Sequence, residues 1–178
     1  MPNIYLVGYR ATGKTSVGKA LARAMGQPFV DADEVLEKEQ GRTIASIVES
    51  DGWPEFRRLE KELLARLSAL DGHIVAPGGG AVLDPDNVQA MRDTGLVVWL
   101  TADSKVICNR LAKDDKTDTQ RPALTDQGVL DEINTVLEQR MPLYERAAML
   151  TVATDGAGIH EICGKIMDLA GNLDIQKD

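Results

Sequence analysis

The strongest chemical signal in the chain lies close to its start. Gly8-Tyr9-Arg10-Ala11-Thr12-Gly13-Lys14-Thr15 matches G-x-x-x-x-G-K-[ST] at every fixed position. In such a loop the backbone N–H groups point inward and hold phosphate oxygens, helped by the N-terminus of the following helix. Lysine reaches the outer phosphates, and the last hydroxyl is a hard ligand for Mg²⁺. The groups assigned to a nucleotide are therefore Gly8, Arg10, Ala11, Thr12, Gly13, Lys14, Thr15 and Ser16. A nucleoside triphosphate is the expected ligand. The motif alone does not separate a kinase from an ATPase, a GTPase or a transporter.

Two carboxylates come next. Asp31 and Asp33 follow Phe29-Val30 directly. Residues two apart on an extended chain point the same way, so both can face one site. One could hold the water shell of magnesium, and the other could accept a proton from a substrate hydroxyl. The competing reading is a helix-capping aspartate with a solvated neighbour. No other apolar strand ends in an acid, which makes Asp31 the best metal-side carboxylate.

Two arginines and a glycine run complete the set. Arg57 and Glu60 are three apart, on one helix face. An arginine fork matches a carboxylate with two parallel bonds. Arg140, within Arg140-Met141-Pro142-Leu143-Tyr144, is a second candidate, on a helix that Pro142 is expected to interrupt. A lone arginine is more often a solvated surface charge. Gly78-Gly79-Gly80 follows an apolar segment. Three glycines cost about 0.5–1 kcal/mol each against alanine in ordered elements, a cost that close backbone approach to a ligand would explain.

These groups need a frame. Residues 4–7, 28–30, 73–76, 96–100 and 149–153 are short apolar runs that read as strands. Helical patterns lie between them: one with Val17, Leu21 and Met25, two short ones broken at Gly41, and one over 56–70 with Pro54 in its first turn. Further helices are expected over 103–113, 129–147 and 158–170, with a frayed tail after Gly171. The run 114–121 has no apolar group and is expected to be mobile. Alternating strands and helices imply an α/β sandwich on a mainly parallel sheet, whose ligands sit beyond the carboxyl ends of the strands.

Composition narrows the partners. The 178 residues fit one domain, and 43% hydrophobic residues can build an ordinary core. Acidic residues outnumber basic ones 28 to 20, a net charge of −8. That balance repels phosphate backbones and anionic lipid, so neither nucleic acid nor membrane is an expected partner. Two cysteines without metal spacing, and no apolar run near the ~18 residues of a membrane span, suit a reduced cytoplasmic setting.

Taken together, these motifs resemble the shikimate kinases. The resemblance rests on the phosphate loop, Phe29-Val30-Asp31-Ala32-Asp33, Phe56-Arg57 with Glu60, the glycine triplet, Arg121-Pro122, and Arg140 with Pro142-Leu143-Tyr144, in order from about residue 4 to 155. It implies a single domain over 1–178, a five-stranded parallel sheet in a three-layer sandwich, of the P-loop NTPase and nucleoside-monophosphate-kinase type. It implies ATP-dependent phosphorylation of shikimate to shikimate 3-phosphate, with Mg²⁺ as cofactor. Lys14, Asp33 and Arg121 would be catalytic. Asp33, Arg57, Gly78, Gly79, Gly80 and Arg140 would bind shikimate, between helices over about 33–62. Thr15 and Asp31 would hold the metal. Arg110 would lie against adenine, and Arg121 would come from a lid over about 113–124. A monomer is the expectation. Departures from the family pattern are Ala11 where many members have glycine, Pro77 where threonine is usual, a minor change at Ala123 in the lid, and Trp53 after Gly52 where glutamate is more usual. The nearest rival is another small-acid kinase, such as a gluconate kinase. A silent nucleotide-binding regulator is a second, but it should have lost Lys14, Asp33 or the lid arginine.

Overall fold

The computed structural model describes residues 1–113 and 128–175. Five strands form one sheet: β1 (Asn3–Val7), β2 (Phe29–Asp31), β3 (Ile74–Ala76), β4 (Gly95–Thr101) and β5 (Leu150–Ala153). Their order is β2-β3-β1-β4-β5, and every pairing is parallel. β1 therefore lies in the middle, which explains why all five of its residues are buried and why it reads as an unbroken apolar run. The phosphate loop leaves the carboxyl end of this central strand.

Helices cover both faces. α1 (Lys14–Met25) and α7 (Ile159–Ile175) pack on one side, where Leu6, Val17, Leu21, Val98, Leu100 and Ile166 form a core. α2 (Ala32–Gln40), α3 (Ile44–Ser68), α4 (Pro85–Thr94) and α6 (Val129–Ala147) cover the other, over Tyr5, Leu36, Phe56, Leu64, Val97 and Tyr144. α5 (Ser104–Leu111) meets α6 over a third cluster with Tyr9, Ile107 and Ile133. This is the three-layer arrangement read from the sequence.

Local chemistry sets the boundaries. Asp31, Thr43, Asp84 and Asp103 cap α2, α3, α4 and α5 through their side-chain oxygens. α1 and α2 stop at Gly26 and Gly41 in the left-handed region. Within α3 the helix breaks at Gly52 (φ 84°, ψ 167°) and restarts around Pro54, as expected from that proline. Two expectations are corrected and one element is added. α6 runs straight through Pro142, so the proline costs one backbone bond without ending the helix. α7 continues past Gly171 to Ile175. Finally, α4 was not read from the sequence at all, although Asp84-Pro85 is a good start signal.

Candidate active site

The functional groups gather at the carboxyl edge of the sheet, on the loops and helices that follow the strands. The phosphate loop arches from β1 to α1, with Gly13 at φ 100° closing onto the helix. Ala11 also has a positive φ, 59°, which costs a non-glycine residue energy. Its carbonyl is held by Arg110 Nη1 at 3.2 Å. Lys14 Nζ donates to the carbonyls of Gly8 (2.9 Å) and Tyr9 (3.0 Å), so its ammonium lies curled over the loop. The Arg10 side chain turns the other way. It pairs with buried Glu132 on α6 and stacks on the Tyr9 ring, leaving the loop only its backbone.

Asp31 reconciles the two readings of the carboxylate pair. One oxygen caps α2 by accepting from the Asp33 N–H at 3.2 Å, and the other accepts from Thr15 Oγ1 at 2.8 Å. Hydroxyl and carboxylate, both hard oxygen donors, thus sit side by side beneath the loop. That is the donor chemistry magnesium takes when phosphates and water supply the rest. Among the described residues no cluster of three or more His, Cys, Asp or Glu side chains could hold a metal without such help.

Two clefts open along this edge. The larger, about 450 Å³, runs over Lys14, Thr15 and Asp31 toward Arg110 and Thr154. Arg110 does more there than face a ligand: it donates to the hydroxyl (3.0 Å) and carbonyl (3.0 Å) of Thr154. That buried threonine in turn lies 2.9 Å from the Thr12 carbonyl. Sequence reasoning missed Thr154, whose only signal is its place just after β5.

The smaller cleft, about 80 Å³, is lined by Asp33, Arg57, Glu60, the glycine triplet and Arg140. Arg57 is bonded to Glu60 at 2.6 Å and lies over the rings of Trp53 (5.3 Å) and Phe56 (5.0 Å), so its fork is aimed from three sides. Glu60 is buried, and its second oxygen, Oε1, has no hydrogen-bond partner among the described residues. Burial, reinforced by the charge of Asp33 and opposed by Arg57, pushes its carboxyl above the usual range. The triplet is explained by its neighbours. A Cβ on Gly78 would strike Glu60 and come within 2.9 Å of Asp33 Oδ1, and one on Gly80 would strike the Arg57 guanidinium. Gly79 turns its carbonyl to α6, where Arg140 Nη1 donates to it at 3.2 Å. Pro77 lines the larger cleft rather than the smaller one.

Lys14 and Asp33 line both clefts. Of the predicted site residues, Ala11, Gly13, Lys14, Thr15, Ser16, Asp31, Asp33, Arg57, the glycine triplet, Arg110 and Arg140 line the two clefts. Gly8 and Thr12 belong to the loop without lining either cleft. Arg10 borders the smaller cleft with its side chain engaged by Glu132, and Arg121 lies outside the described residues along with most of the expected lid. A phosphate loop that opens onto a second cleft, on a parallel sheet with this order, defines a P-loop kinase.

The shikimate kinase family model matches residues 10–170. The shikimate kinase of Syntrophus aciditrophicus is 39% identical, over 93% of this chain and 89% of its own. The solved shikimate kinase of Acinetobacter baumannii, in complex with shikimate, superposes with a TM-score of 0.87 at 34% identity, over 95% of this chain and 92% of that one. A gluconokinase from Sinorhizobium meliloti reaches only 0.60 at 22% identity, a likeness of fold alone. The chain belongs to the shikimate kinase family, and is a phosphotransferase with an alcohol group as acceptor.

Proposed function

We propose that the two clefts divide the family reaction, ATP + shikimate → ADP + shikimate 3-phosphate, between them. The observation that carries this is the meeting of the clefts at Lys14 and Asp33. The larger takes ATP, with its phosphates in the loop and adenine beside Arg110. In the smaller, Arg57 and Arg140 grip the shikimate carboxylate, Asp33 accepts a hydrogen bond from the reacting hydroxyl, and the glycine backbone forms the floor. Asp33 takes the hydroxyl proton as the new O–P bond forms and the bond to the departing ADP breaks. Lys14 swings from the loop carbonyls to the transferring phosphoryl group and offsets its charge. Arg121 adds a second cation from a lid over about 113–124, a role supported by sequence alone.

Thr15 and Asp31 would hold Mg²⁺, which when bound neutralises charge shared by the β- and γ-phosphates. The local arginines matter because the chain as a whole is anionic, at −8. At contact distance their attraction is little screened, whereas the distant negative field is damped over about 8–10 Å. The chain is read as one domain over 1–178, with substrate-binding helices over about 33–62, acting as a monomer in the cytoplasm without nucleic acid or membrane. In support, the charge is unsuited to polyanions, and no helix among the described residues is long and apolar enough to cross a membrane.

A coupled ADP-release assay against shikimate, gluconate and nucleoside monophosphates tests the reading. Rapid turnover with shikimate alone is expected. Preference for gluconate or a nucleotide would overturn the assignment of the smaller cleft.

A further inference from the structure

The Gly79 carbonyl accepts two hydrogen bonds, both from α6: one from Arg140 Nη1 at 3.2 Å, the other from the Tyr144 hydroxyl at 2.5 Å. The two donors are four residues apart, so they share a helix face. They differ in how firmly they are held. Arg140 is half-buried and reaches the carbonyl on a long, flexible stem. Tyr144 is fully buried, with its ring stacked on Trp99 of β4 at 5.6 Å and 19°. Its hydroxyl is thus fixed to the sheet. Burial also pushes the phenol up to about 12, so it stays a donor at any working pH.

On the other side of the triplet, Gly80 packs against the Arg57 guanidinium so closely that a Cβ there would force the arginine to move. The glycine backbone is therefore a spacer between the arginine from α3 and the arginine from α6. We infer that Tyr144 is a positioning residue for the substrate carboxylate: its hydroxyl pins the Gly79 carbonyl to α6 and so sets the separation of Arg57 and Arg140. It has a second consequence. When Arg140 turns a donor toward substrate, the Gly79 carbonyl keeps a partner, so capture of the carboxylate leaves no backbone group unpaired.

The inference rests on the proposed use of the smaller cleft for shikimate, and a cycle of variants separates the two. Tyr144→Phe keeps the ring and removes only the donor. It should raise KM for shikimate about 3–10-fold, the loss of one neutral hydrogen bond, with KM for ATP within about twofold of wild type. In the Arg140→Ala background the same substitution should change shikimate KM by less than about twofold, because the group it positions is gone. Incorporation of 4-aminophenylalanine at 144, which restores an N–H donor on the same ring, should bring KM back toward wild type. Should Tyr144→Phe fold poorly, that rescue variant against 4-methylphenylalanine carries the comparison. Equal, additive losses in both backgrounds, or parallel rises in both KM values, would reduce Tyr144 to a core residue and overturn the inference. If Arg140→Ala alone leaves shikimate KM unchanged, it is the use of the cleft that fails instead.

Discussion

The phosphate loop and the smaller cleft are built in opposite ways: one is a single local turn of chain, the other a meeting of side chains and glycines from distant elements. The phosphate loop is eight consecutive residues, Gly8 to Thr15, folded between one strand and one helix. The smaller cleft draws Asp33 from α2, Arg57 and Glu60 from α3, the triplet from the turn after β3, and Arg140 from α6. A backbone cradle is indifferent to most side-chain changes and depends on loop path. A side-chain cradle depends on each partner being held by another, as Arg57 is by Glu60, Trp53 and Phe56. The two halves should therefore fail differently when broken.

The largest effect is expected where the halves meet. Lys14→Met removes a charge-assisted contact to the transferring phosphoryl group, and kcat should fall by several decades while circular dichroism and the melting profile persist; near-normal turnover would remove Lys14 from its role. Next comes Asp33→Asn, which keeps the shape but loses the basicity. Its kcat should drop about 10²–10⁴-fold, the usual range for general-base assistance. A change confined to KM would make Asp33 a binding group only.

Purely on the substrate side, Arg57→Ala should cost about 2–5 kcal/mol in shikimate kcat/KM, because it leaves a carboxylate without its partner. ATP affinity should barely move. Shikimate methyl ester should be a poor substrate for the wild type, and Arg57→Ala should discriminate much less between ester and acid. A coupling energy near zero across those four measurements would show that Arg57 does not touch the carboxylate.

The smallest effect concerns Glu60. Its carboxyl is raised by burial, so the folded protein holds this proton more tightly than the unfolded chain does. Stability from this group is fully present below the unfolded value, near 4.5, and is lost as pH rises through the higher folded value. Its share of the slope is at most about 1.4 kcal/mol per pH unit. Denaturant unfolding of Glu60→Gln across pH 4–8 should show a flatter profile than wild type. An unchanged slope would mean that Arg57 holds Glu60 ionised throughout.

The same contrast explains what could be read before any coordinates. The phosphate loop is legible because its requirements are local: fixed glycines, a lysine, a hydroxyl, a strand before and a helix after. Asp31 and Asp33 are legible as close neighbours in sequence, although the expected strand alternation is corrected: β2 ends at Asp31, and Asp33 lies in the first turn of α2. α4 went unread because its exposed face is polar and its buried set is only Asn87 and Met91, which gives no clear apolar stripe. Thr154, Glu132 and Tyr144 went unassigned for a different reason. Each acts on a residue 65 to 142 positions away, a pairing that no window of sequence contains. Ala11 lies between these cases. Its positive φ follows from its loop position, yet the arginine that holds its carbonyl lies 99 residues on.

One feature of the substrate floor bears on how such an enzyme could change. Gly78 and Gly80 present no side chain, and neither can gain one without striking Asp33, Glu60 or Arg57. A side chain at either position therefore requires Asp33, Glu60 or Arg57 to give way first. A lineage shifting to a new acceptor has a shorter route through the opposing walls on α3 and α6. Laboratory evolution of this scaffold should accordingly collect its specificity changes around Trp53, Phe56 and Arg140, with the glycines surviving selection untouched.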